Sequence, residues 1–120
     1  MLKLTGLVKT IPFQFTDLDG SVHDLEVGEF TIADVKKLIE LQEPILADTM
    51  SVAEQSEKIV ASRIVCAVKI QGTRTRFWDT IESFTLSNYP NGLVDSLYPM
   101  VGELNPINLS DDLEGKKNES

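Results

Sequence analysis

The sequence holds one cysteine, one histidine and one tryptophan, and each scarcity removes a class of chemistry. A lone Cys66 cannot close an internal disulfide. The run from Val60 to Ala67 around it reads as packed helix interior, where a thiol serves as a small hydrophobe. His23 has no second histidine and no cysteine near it, so no metal centre is expected and it reads as a surface strand residue. Basic residues are also few: 11 Lys and Arg against 19 Asp and Glu leave a formal charge of -8. That balance disfavours a grip on phosphate backbones, so nucleic acid is not an expected partner. No apolar run reaches membrane-spanning length and no basic-then-apolar signal opens the chain, so the expectation is a soluble, cytoplasmic protein without a membrane partner. No serine has a visible triad partner and no glycine-rich phosphate loop exists, so neither an enzyme nor a cofactor is expected.

What is present is a chain of 120 residues, 42% hydrophobic and 25% charged, enough for one modest core. One stretch carries a chemical echo. Phe15 to Ser21, FTDLDGS, resembles the opening motif of haloacid-dehalogenase-like phosphotransferases, in which Asp17 would be the nucleophile and Asp19 the general acid/base. That fold needs several strand-helix crossovers, and too few residues follow Ser21 to build them. The flanks point elsewhere. Ile11, Phe13 and Phe15 alternate with Pro12, Gln14 and Thr16, the pattern of an antiparallel strand with one wet face, and Pro12 marks an edge or a strand start. Leu25 and Val27 alternate with Asp24 and Glu26, while Val22 is out of phase, which a bulge would explain. Asp19-Gly20 between the two segments is a hairpin signal. A calcium loop does not fit, because its closing glutamate would fall on Gly28.

Helical signals follow. Thr31-Ile-Ala-Asp34 resembles a capping box, with Val35, Leu38, Ile39 and Gln42 on one face and Pro44 ending or kinking the helix. Ser51-Val-Ala-Glu54 is a full capping box before a second helix from about Val52 to about Val68. Gln71-Gly72-Thr73 breaks it, and Thr73 to Phe77 is extended or irregular and expected to lie near the N-terminal hairpin. Arg74, Arg76, Phe77 and Trp78 suit either a partner-binding anchor or a solvated strand face ending in a core aromatic. Asp79 is placed to cap a short helix through Phe84. Leu93, Val94, Leu97, Val101 and Leu104 form a last apolar stripe, with Pro90 in its first turn and Pro99 expected to kink or split it. Leu97, Tyr98 and Val101 suit the core first and a partner groove second. The predicted class is α+β: an N-terminal antiparallel hairpin, then a small helical bundle, forming one domain over residues 1–107, with a disordered acidic tail over residues 108–120.

The order of these elements, and above all "RIVCAVKIQGTRTRFWDTIESFTLSNYPNGLVDSLYPMVGELNP", resembles the small tail assembly chaperones of long-tailed, siphovirus-type bacteriophages and prophages. In that family a helix ending in a glycine turn precedes an aromatic, a short acidic helix, a proline-glycine break and a final amphipathic helix ending near an asparagine. Here these fall at Arg63 to Gly72, Phe77-Trp78, Asp79 to Phe84, Tyr89 to Leu93 and Leu97 to Asn105. The resemblance implies a protein of the host bacterial cytoplasm, absent from the mature virion, that binds the tape-measure protein, keeps it soluble and helps recruit tail-tube protein. It leaves room for self-association. It also implies a longer form made by ribosomal frameshifting, and Gly115-Lys116-Lys117 is compatible with a slippery codon run. The alternative is a small virion structural protein, such as a tail-tube, tail-completion or head-tail connector component.

Overall fold

The structure, a computed structural model, describes residue 2 and residues 4–84 and 88–106. The expected tail and the Gly115 to Lys117 codon site lie outside the described residues. Among those described, three strands and four helices follow in the order β1 (Thr10–Thr16), β2 (Val22–Gly28), α1 (Ile32–Ala47), α2 (Val52–Ala67), β3 (Val68–Ile70), α3 (Ile81–Phe84) and α4 (Asn91–Leu104). The class is α+β, and the sheet is antiparallel in the order β1-β2-β3.

The hairpin forms where the alternation puts it. Cross-strand neighbours Ile11 and Val27, Phe13 and Leu25, and Phe15 and His23 line the inner face. Pro12 is tolerated because β1 is an edge strand. No bulge interrupts the ladder, which runs unbroken from Thr16 opposite Val22 to Thr10 opposite Gly28. Val22 is out of phase because it belongs to the exposed face. The extra residue sits in the turn: the Gly20 N–H donates to the Asp17 carbonyl at 3.0 Å, and Gly20 takes a φ of 87°, open to glycine at little cost.

Strand β3 carries no separate sequence signal. Helix α2 ends at Ala67 and the chain passes straight into Val68–Ile70, which pairs with Leu25, Glu26 and Val27. A turn with Gly72 at φ 76° then brings Arg76 back beside Lys69, so the Thr73 to Phe77 segment reaches the hairpin through β3.

The helices cover the inner face. The second half of α2 is the central element, with Ala61, Ile64, Val65, Cys66 and Ala67 fully buried, and α4 adds Leu97 and Val101. Burial pushes the Cys66 thiol up to about 11. At the hairpin end Phe15, Phe77, Trp78, Phe84 and Tyr89 form an edge-to-face cluster that His23 also joins, stacked on Phe15 and tilted against Phe77, so His23 is not a plain surface residue. At the other end Asn105 ties α4 down. Its side chain accepts from the Phe30 N–H at 2.6 Å and donates to the Gly28 carbonyl at 3.1 Å, while its own carbonyl accepts from Arg63.

Several helix details differ from expectation. Pro44 lies inside α1, which runs on to Ala47, and Pro99 lies inside an unsplit α4. Pro90 is the residue before the first turn of α4. The Ser51 hydroxyl accepts from the Glu54 N–H, but the reciprocal half of that box is not formed. Helix α3 is capped by Thr80, which exchanges hydrogen bonds with Ser83, and not by Asp79.

Candidate functional site

The first turn of α1 builds an ionic cluster. Asp34 completes the capping box by accepting from the Thr31 N–H at 2.9 Å, and the same carboxylate accepts from Lys69 at 2.6 Å and Arg76 at 2.8 Å. Lys69 and Arg76 reach it together because they are cross-strand neighbours and project from one face of the sheet. Burial alone would raise the Asp34 pKa. The hydrogen bonds from Lys69, Thr31 and Arg76 outweigh it, and the carboxyl titrates below its ordinary value. Two cations against one carboxylate leave the cluster with a net positive charge inside an acidic protein.

Beside this cluster the outer face of the sheet opens into a cleft of about 510 Å³. Lys69, Glu26 and Gly28 lie on the sheet side, Leu7 and Val8 of the N-terminal arm form an apolar wall, and Thr73 and Arg74 stand at the rim. The arm projects Leu2, Leu4 and Leu7 into solvent. Apolar side chains next to a lysine, an arginine and threonine hydroxyls suit a peptide segment that presents hydrophobic residues and a carboxylate.

The residues predicted for partner binding lie in different surroundings, some in the segment after β3 and some on α4. Arg74 is exposed at the cleft rim, whereas Arg76 turns to Asp34. Phe77 is half-buried, 4.9 Å from the Trp78 ring, and Trp78 is 3% exposed against Phe84. Leu97 and Val101 are core residues and Tyr98 packs against them half-buried, so of that set Arg74 alone is a free surface side chain. Asp17 and Asp19 do turn chemistry. Asp17 accepts from the Leu18 N–H and the Tyr89 hydroxyl, and Asp19 accepts from the Ser21 N–H, which lowers its pKa. Both sit in the loop of an antiparallel edge hairpin, not at the end of a central parallel strand.

Two features escaped the sequence reading. The Asp34 cluster carries no local signal, because Asp34 has the place of a cap residue and Lys69 and Arg76 lie 35 and 42 positions away in sequence. The second is the outward face of α1: Ile32 is 80% exposed, Ile39 61% and Leu46 63%, with Val35 partly exposed beside them. The face that meets α2 instead carries Leu38, Leu41 and Ile45. The signal was an excess of apolar residues, more than one stripe can hold.

No family model matches this chain, and no curated protein and no solved structure matches it either. Among the described residues, no helix is long and apolar enough to cross a membrane.

Proposed function

We propose that this chain is a tail assembly chaperone of the long-tailed phage type, acting in the host bacterial cytoplasm. It binds the tape-measure protein, keeps it soluble, helps recruit tail-tube subunits and leaves before the virion is complete. The observation that carries this reading is the apolar N-terminal arm standing beside a cleft with Lys69 and Arg74. A tape-measure protein is a long helical chain whose apolar stretches have no cover until the tube surrounds them, and such stretches aggregate. An arm bearing Leu4, Leu7 and Val8 supplies apolar cover, the cleft supplies polar anchoring, and the charge of -8 keeps the complex in solution.

The test is co-expression with the tape-measure protein encoded beside the gene. Wild-type chain is expected to hold that protein in the soluble fraction. Leu4→Asp with Leu7→Asp, or Arg74→Glu, is expected to release it to the pellet while the chaperone stays folded by circular dichroism. A tape-measure protein equally soluble without the chain overturns the reading, and the chain found in purified virions would favour a structural component instead.

A further inference from the structure

The outward face of α1 has an order that the proposed function does not use. Ile32, Ile39 and Leu46 recur at seven-residue spacing, so they form one row about 21 Å long at 1.5 Å per residue. Beside that row lie Lys36 and Glu43, also seven residues apart, with Lys37 and Glu40 between them. Asp34, the remaining charge of the helix, is neutralised by Lys69 and Arg76. The exposed charges of α1 therefore cancel, although the chain as a whole stands at -8. Lysines first and glutamates after is the less favourable order for pairs within one helix. Among the described residues none of Lys36, Lys37, Glu40 and Glu43 forms a salt bridge.

The order becomes favourable against an antiparallel copy of itself. The midpoint of Ile32 and Leu46 is Ile39, and the midpoint of Lys36 and Glu43 falls between Ile39 and Glu40, less than one residue away. One two-fold axis beside Ile39 thus sets Ile32 against Leu46 of the second copy, Ile39 against its own equivalent, and Lys36 against Glu43 of the second copy, twice. Self-complementarity about one axis is what an isologous contact requires.

We infer that two copies of this chain associate through an antiparallel pairing of their α1 helices, centred on Ile39, with Lys36 and Glu43 exchanged between copies. The occupant of the apolar row is another copy of the same face, because its charges match themselves and the remaining acidic surface would repel a second copy elsewhere. A pair of sixteen-residue helices makes a small interface, so the association is reversible and concentration-dependent. The inference is independent of the tail-chaperone reading, whose test uses the arm and the cleft.

Analytical ultracentrifugation of the full chain over a concentration series tests it. The wild type is expected to shift from one to two chain masses with rising concentration. Ile39→Glu places like charges across the axis and is expected to hold the protein at one chain mass, with the melting profile of dilute wild type. Lys36→Glu is expected to weaken the dimer by roughly tenfold or more, and Lys36→Glu with Glu43→Lys to restore it. Ile39→Cys is expected to give a covalent dimer on mild oxidation, without competition from the buried Cys66. A wild type that stays at one chain mass throughout, an Ile39→Glu variant that still dimerises, or a double reversal that fails to recover the dimer overturns the inference. So does a monomer whose α1 face is instead needed to hold the tape-measure protein.

Discussion

Helices α1 and α4 are both amphipathic, both carry an internal proline and both start from an extended N-cap residue, yet they are held by different means. Helix α4 lies on α2 and on the inner face of the sheet and buries Leu97 and Val101 completely. Helix α1 packs chiefly on α2, turns Ile32 and Ile39 to solvent, and reaches the sheet through Asp34. Helix α4 reaches the sheet by an apolar stripe, whereas α1 rests on α2 through Leu41 and Ile45 and reaches the sheet by a single carboxylate. Apolar period shows that a helix has a face to cover, and the neighbours within reach decide which face the core takes.

Removal of the Asp34 carboxylate is expected to do the most damage. Asp34→Ala strands Lys69 and Arg76 near the protein interior and is expected to cost about 3–5 kcal/mol in urea unfolding, the range for orphaning a buried ion pair. A comparable loss for Asp34→Asn would show that charge, not hydrogen bonding to the cap, anchors α1. Leu97→Ala, the matching lesion in α4, is expected to cost about 2–5 kcal/mol through the cavity it leaves. An effect below 1 kcal/mol would mean that the stripe does not anchor α4.

The acid limb follows from the direction of the Asp34 shift. Its folded pKa is depressed, so its contribution is fully present above the unfolded value of 3.8 and is lost as pH falls through the lower folded pKa. Wild type is expected to lose more stability between neutral pH and that acidic window than Asp34→Asn does, and superimposable acid profiles would remove the carboxylate from the account. Thr31→Ala, which deletes the α1 cap without touching the ion pairs, is expected to cost about 0.5–2 kcal/mol. Ile39→Ala, measured on dilute monomer, is expected to stay within about 0.5 kcal/mol of wild type, and a larger loss would show that α1 buries this face within its own chain.

Much of the fold was legible because local rules and long-range packing agree there. The alternation of Ile11, Phe13 and Phe15, the Asp19-Gly20 turn, and the Thr31 and Ser51 caps each act over a few residues. The unread parts depend on distant residues. Val68–Ile70 is a strand only because β2 offers an open edge, and nothing in Val-Lys-Ile separates it from the end of α2. The Arg74 to Trp78 segment looked like one patch, but Arg74 lies in the bend that follows β3 while the chain beyond Arg76 turns into the aromatic cluster, so Arg74 reached the cleft rim and Trp78 the core.

Local patterns thus specified the α+β class, the hairpin and the starts of α1 and α2, because hydrophobic period, turn residues and caps operate within a few residues of one another. Tertiary structure alone decided that Asp34 would meet Lys69 and Arg76, residues 35 and 42 positions further along, and that α1 would keep one apolar row uncovered. Those outcomes rest on which surfaces the sheet and α2 present to each helix. A linear pattern of residue types carries that information only after the chain has closed on itself.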